Sequence, residues 1–189
     1  QIHAADRTLR EPTAAMVDAL DRFDPANDAL VIGTFLATAE HLAGRPLFSP
    51  RRPEWVALED KVVVDALWDR AGVSRQPSVV VALEEAPDVA TDLDLGAGTV
   101  WSADAREGFH GGARHTHWVA DAESRARALA GLGPVCERVR VMPFVEGVPC
   151  SMHGIVVPDG VALLRPVEMV TLRRRHELVY AGCATYWDP

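Results

Sequence analysis

Lysine is nearly missing from this chain of 189 residues: Lys61 is the only one among 19 basic residues, the rest being arginine. An ammonium is a compact, mobile point charge that a guanidinium does not imitate. A single lysine in an arginine-rich chain is therefore a candidate for specific chemistry, with chance as the competing explanation. Cysteine is also sparse. Cys136, Cys150 and Cys183 are odd in number, widely spaced and without a Cys-x-x-Cys, which argues against a disulfide framework or structural zinc and for reduced thiols in the cytoplasm. His115-x-His117 is the one close histidine pair; on a strand both rings would share a face, but no acidic or cysteine partner sits at a ligand spacing. No apolar run approaches the ~20 residues of a membrane span. The start, Gln1 to Arg7, lacks the pattern of a signal peptide, and without an initiator Met the chain reads as a piece of something longer. A basic face is missing too. The net charge of −8 argues against a nucleic-acid module, and Arg173-Arg174-Arg175 reads as a solvated turn or strand end, or as an anion contact.

What is present is an ordinary globular composition, 48% hydrophobic and 24% charged, in a length sufficient for one domain or two small subdomains. Apolar spacing predicts a helix over Pro12 to Phe23, started by Pro12 or Thr13. Ala29 to Thr34 reads as a short buried strand, followed by a helix from Phe35 to Ala43 that ends at Gly44 with Pro46 beyond. Past the break at Pro50-Arg51-Arg52-Pro53, Asp60 is a plausible N-cap for a helix over Val62 to Ala71, closed by Gly72. Ser78 to Ala82 is a strong strand, and Asp88 to Gly98 an acidic loop with room for a short helix. Asp121 caps a helix over Ala120 to Leu132, and the alternation from Cys136 to Phe144 predicts a half-buried strand. Cys150 to Val157 and Val161 to Arg165 read as a hairpin around Pro158-Asp159-Gly160 with an Asp-Gly turn; Val167 to Leu172 and Leu178 to Tyr186 supply further strands.

Thr99 to Val119 is the most suggestive stretch, with a β-prone run at each end and Gly108-Phe109-His110-Gly111-Gly112 between them. Glycines let backbone N–H groups approach an anion with no Cβ in the way, so two strands and such a loop can form a phosphate-covering flap. A plain surface hairpin would use the same glycines for its turn.

The order of parts resembles the ATP-grasp superfamily: a lysine before a helix (Leu58-Glu59-Asp60-Lys61), Ala71-Gly72-Val73, a glycine-rich flap, a helix, then a strand into a hinge (Val141-Met142-Pro143-Phe144-Val145-Glu146-Gly147) and a hairpin. The resemblance covers about residues 55 to 189. It implies an α/β fold with α+β character in the nucleotide part, ATP-grasp-like and incomplete, preceded by the end of a small α/β domain. The domains would be 1–54, the end of that domain with a linker; 55–147, the first ATP-grasp subdomain with its flap; and 148–189, the start of the second. By position, Lys61 resembles the lysine that reaches the nucleotide phosphates. Gly108, Gly111 and Gly112 resemble the flap that closes over them. The hinge resembles the segment whose backbone binds adenine, with Phe144 or Val145 lining the ring pocket.

Two positions depart from the family. Ser102 stands where a second phosphate-binding lysine is expected, with Arg106 or Arg114 as candidates to replace its charge, and Val148-Pro149 stands where a ribose-binding acid is expected, with Glu146 as its candidate replacement. The family's magnesium ligands include a Glu-x-Asn pair, yet the only asparagine is Asn27, so those strands are expected beyond Pro189. Arg165 and Glu168 are the remaining catalytic candidates: a guanidinium stabilises developing negative charge and a carboxylate positions a metal or amine, whereas a surface ion pair is the plain alternative. The resemblance implies an ATP- and Mg²⁺-dependent ligase that joins a carboxylate to an amine or thiol through an acyl phosphate, the fragment alone being inactive. A non-catalytic nucleotide-binding or regulatory module is the alternative. The expected partners are small-molecule carboxylate and amine substrates, with no nucleic acid or membrane surface and with room for a homo-oligomer.

Overall fold

A computed structural model describes residues 2–33, 37–48, 52–104, 115–174 and 177–185. The chain forms two compact units, 1–59 and 60–189. Among the described residues no helix is long and apolar enough to cross a membrane.

The first unit holds α1 (Ile2–Arg10), α2 (Ala14–Phe23), β1 (Val31–Ile32), β2 (His41–Leu42) and β3 (Arg45–Phe48). Thr13 caps α2 by accepting the Met16 N–H, as a threonine in extended backbone before an apolar repeat should. The expected helix over Phe35–Ala43 is replaced, where the structure is described, by irregular chain and a hairpin. His41 pairs with Pro46 and Leu42 with Arg45, so Ala43 and Gly44 form a two-residue turn, and both have positive φ (49° and 82°). Gly44 therefore turns a hairpin rather than ending a helix; glycine after an apolar run signals either, and tertiary pairing decides. Nor is the preceding strand buried: β1 has two residues, runs parallel to β3, and leaves Ile32 81% exposed.

Arg45 is buried and staples this hairpin to the end of α2. Its Nε donates to Asp24 Oδ2 at 2.7 Å, and its Nη2 donates to the Asp24 carbonyl (2.7 Å) and to Asp21 Oδ1 (3.1 Å). Burial pushes the Asp24 carboxyl up, but Arg45 and the N–H groups of Ala29 and Asp28 outweigh it and hold it below the ordinary aspartate value.

In the second unit, α3 (Val64–Arg70) is followed by β4 (Val79–Ala82), α4 (Ala86–Leu93), β5 (Thr99–Ala103), β6 (Thr116–Val119), α5 (Ala122–Leu132) and β7 (Arg138–Pro143). The strands form one antiparallel sheet in the order β4-β7-β5-β6. One face of this sheet packs on α4 and α5 and carries the core: Trp101, Ala103, Val139 and Val141 meet Ala86, Ala90, Ala128 and Leu132. The alternation read in β7 is present, Val139, Val141 and Pro143 being buried. Asp121 caps α5 as expected, accepting the Ser124 N–H at 2.7 Å. Gly72, with φ 68°, follows α3.

Two local expectations change. Asp60 does not cap a helix that begins at Val62; its carboxylate accepts the Val62 N–H and its carbonyl the Val63 and Val64 N–H groups, so it braces a turn and α3 starts two residues later, at Val64. The acidic stretch after Pro87 is mostly helix. Its acids suit a helix start, and Asp94 then ends it by accepting the Gly96 and Gly98 N–H groups at 2.7 and 2.8 Å.

Beyond β7 come β8 (Cys150–Ser151), β9 (Gly154–Val157), β10 (Gly160–Leu163), β11 (Val167–Arg174) and β12 (Glu177–Ala184). β9 and β10 pair as a hairpin, but Val157 stands opposite Gly160, so Pro158 and Asp159, not the expected Asp159-Gly160, are its central residues, and Cys150–Ser151 leaves the hairpin to pair with β11. β12, β11 and β8 form a second antiparallel sheet, and β12 comes within 8 Å of β6.

Candidate functional site

Because Trp101, Val139 and Val141 point into the core, their neighbours Ser102, Arg140 and Met142 must occupy the opposite face of the sheet. Register completes that face: Ser102 stands opposite Arg140 on one side and Thr116 on the other, Val100 opposite Met142 and Trp118, and Arg140 opposite Val80. The face is apolar and aromatic toward the end of β7 and polar toward residues 105–114. A ligand with a flat apolar ring and an anionic tail would fit such a polarity.

At the apolar end, the Phe144 N–H donates to the Gly98 carbonyl at 2.9 Å, and the rings of Trp118 and Phe144 lie 5.0 Å apart with a 32° tilt. Trp118 Nε1 donates to the Ala97 carbonyl at 2.8 Å, so the turn before β5 anchors both aromatics. Gly98 makes that possible. Its φ is 85°, and a Cβ there would lie 2.5 Å from the Val119 carbonyl oxygen. Gly98→Ala is expected to destabilise the second unit by about 1–3 kcal/mol, through strain and overpacking. Urea unfolding would measure it, and a variant within 0.5 kcal/mol of the parent, the ordinary surface range, would remove the anchoring role.

At the polar end, Ser102 is buried and its hydroxyl lies 3.4 Å from that of Thr116. Arg140 Nε lies 2.8 Å from Asp65 Oδ2 of α3. The same carboxylate accepts a hydrogen bond from the Ser78 hydroxyl and faces Arg75 at 3.7 Å. Arg75 in turn grips Asp69 with both arms of its fork, at 2.8 and 2.7 Å. That bidentate bond holds the Asp69 carboxyl below its ordinary value, against a smaller opposing effect of burial. These contacts fasten α3 to the β4–β7 side of the sheet.

The sequence candidates fall into three groups. Ser102 lies buried on the face opposite α4 and α5, and Phe144 lies at its hinge. Lys61 is half-buried in the turn that leads into α3, one turn before the buried Asp65. Val145 and Glu146 follow Phe144 and are exposed. Arg165 and Glu168 lie apart from these in sequence, near the start of the second sheet. Arg165 is in the exposed loop between β10 and β11, and Glu168 on β11 pairs with Cys150 and Ala184. Gly108, Gly111 and Gly112, with Arg106 and Arg114, lie outside the described residues. The histidine pair does not share a strand face: His115 has φ 55° and precedes β6, whereas His117 lies on the core side against Gly131. Sequence reading missed Trp118, Asp65 and Arg140. Trp118 and Arg140 carry the correct strand parity, but their partners are set by register, which no local pattern shows.

Magnesium, which the resemblance implies, needs a set of oxygen ligands. Among the described residues no three or more His, Cys, Asp or Glu side chains come together to hold a metal. These residues alone do not fit the ion.

No protein-family model matches the sequence, and no curated protein does. Solved structures do match the fold. D-alanyl-alanine synthetase A from Vibrio cholerae aligns over 75% of this chain and 44% of its own, with a TM-score of 0.51 and 15% identity. D-alanine-D-alanine ligase from Helicobacter pylori aligns over 77% and 42%, with a TM-score of 0.50 and 14% identity. The VanG D-Ala:D-Ser ligase from Enterococcus faecalis aligns over 68% and 37%, with a TM-score of 0.51 and 18% identity. These ligases are ATP-grasp enzymes, and the chain shares their fold over 37–44% of their length.

Proposed function

We propose that this chain carries the ATP-binding front part of a ligase that joins a carboxylate to an amine through an acyl phosphate. The observation that supports it is the face of the β4-β7-β5-β6 sheet opposite α4 and α5, aromatic at the hinge and polar, with the Arg140–Asp65 ion pair, toward the end of β5 that precedes the glycine-rich stretch. In this reading adenine lies against Trp118 and Phe144, with hinge backbone groups near Phe144, Val145 and Glu146 meeting its edge and the ribose. The phosphates extend toward Ser102 and Lys61, under the flap formed by Gly108, Gly111 and Gly112. Excluding water there protects an acyl phosphate from hydrolysis. Arg165 and Glu168 are the proposed contacts for the reacting groups. With so little covalent work for the protein, its part is positioning and charge stabilisation.

Calorimetric titration with adenosine and with the non-hydrolysable analogue AMP-PNP tests the nucleotide site; absence of binding by both removes it. Release of ADP from ATP, dependent on a carboxylic acid and an amine together, tests the ligase. Binding without any such release would favour the non-catalytic nucleotide module, a reading motivated by the serine at position 102.

A further inference from the structure

Arg140 is charged, lies in the middle of a sheet, and is only 15% exposed. Its partner Asp65 brings Oδ2 to 2.8 Å from Arg140 Nε as an ion pair, yet neither Arg140 Nε nor Asp65 Oδ1 has a hydrogen-bond partner among the described residues. Arg75, in the same network, shows the alternative: its fork takes both oxygens of Asp69. The Arg140 guanidinium thus pairs with Asp65 by charge, and no hydrogen bond engages it among the described residues. A guanidinium placed by an ion pair, with its hydrogen-bond donors uncommitted, can take up an anion. Beside it, in register, stand the hydroxyls of Ser102 and Thr116.

We propose that Arg140, Ser102 and Thr116 form a phosphate subsite on the face of the sheet opposite α4 and α5, with Arg140 as its cation and Asp65 as the residue that positions it. The proposal rests on the nucleotide reading above. It assigns to β7 the positive charge that Ser102 does not bring to β5, a role the sequence offered only to Arg106 and Arg114. Ser102 and Thr116 donate hydroxyl hydrogens to phosphoryl oxygens, and the Arg140 fork takes two oxygens at once. Asp65 keeps the long arginine side chain in one rotamer, so little freedom is lost when the anion arrives. With the fork engaged in a phosphate, the Asp65 pair also offsets the charge that burial would otherwise penalise.

The test compares AMP-PNP, adenosine and inorganic tripolyphosphate on the parent protein, Arg140→Gln and Arg140→Lys. The expected result is loss of at least about tenfold in AMP-PNP affinity for Arg140→Gln, with adenosine affinity within about twofold. Tripolyphosphate should displace AMP-PNP from the parent and fail to do so from Arg140→Gln. Arg140→Lys retains charge against Asp65 but not the fork, so it should recover part of the affinity; it also serves if Arg140→Gln does not fold. A merely structural ion pair predicts lower unfolding midpoints with AMP-PNP and adenosine affected equally, and that outcome overturns the subsite. So does a folded Arg140→Gln that binds AMP-PNP like the parent, which leaves the nucleotide reading standing. A parent that binds neither nucleotide overturns both.

Discussion

Replacing Trp101 with alanine is expected to cost the second unit about 3–5 kcal/mol. Trp101 has no exposed surface and sits at the centre of the core cluster between β5, β7 and the two helices. Its Nε1 donates to the Thr99 hydroxyl at 2.9 Å, so truncation removes a large apolar body and leaves a buried hydroxyl with one partner fewer. The neighbours are small or rigid: Ala86, Ala90 and Ala128 lie on the helices and Val139 and Val141 on the next strand. Helix and strand backbones cannot collapse far into the vacated volume, which keeps the cavity penalty high. Urea unfolding followed by tryptophan fluorescence of the remaining indoles gives the midpoint and slope. A shift worth less than 1.5 kcal/mol would show that the helices relax onto the sheet and that the core is not organised around this residue. Because marginal domains hold only about 5–15 kcal/mol in all, the variant should sit near the edge of folding.

The second large effect expected is on ligand binding. Lys61→Met should weaken AMP-PNP binding by about 10- to 100-fold while leaving adenosine binding unchanged, the range expected of a charge-assisted hydrogen bond to a phosphate. Methionine keeps the length and apolar character of the side chain, so loss of the ammonium is the main change. The residue is half-buried in the turn braced by Asp60, which limits how far it can move. Calorimetry on both ligands measures the ratio. Equal affinities for AMP-PNP before and after the change would mean that Lys61 takes no part in phosphate binding, and that its solitude in the sequence is chance. Loss of adenosine binding as well would mean that the substitution disturbed the turn and α3 rather than a phosphate contact.

In the proposed site the two cations would divide the work differently. Lys61 belongs to the turn before a short helix, and its position depends on how that turn is held. Arg140 belongs to a central strand bonded on both sides, to β4 and to β5, and moves only if the sheet does. A mobile ammonium can follow a phosphate as a flap closes, whereas a fixed fork defines where the phosphate starts. An enzyme that closes over ATP has use for both, and so has a module that only binds it. Turnover with acid and amine, not affinity, separates those readings.

Much of the local structure was legible in the sequence because it is written in short-range chemistry. Thr13 and Asp121 cap their helices since a short oxygen-bearing side chain before an apolar repeat can satisfy the first free N–H groups. The valines of β7 alternate into the core because a strand has period two. The order of a lone lysine, two β-prone runs around glycines and an apolar hinge was enough to expect the ATP-grasp fold, and the structural likeness bears out that fold. The flap glycines lie outside the described residues, so nothing in the structure bears on their role.

What only the tertiary structure decided depends on partners distant in the chain. Ala43-Gly44 could end a helix or turn a hairpin, and the pairing of β2 with β3 and β3 with β1 selected the hairpin. Ser102 looked like a missing charge while β5 was read alone. Only the register of β5 on β7 sets Arg140 beside it, and only the packing of α3 gives that arginine its aspartate. Local patterns state which face a side chain takes. Which residue waits across that face is a matter of register, and register is set by the turns, helices and buried surfaces of the whole sheet.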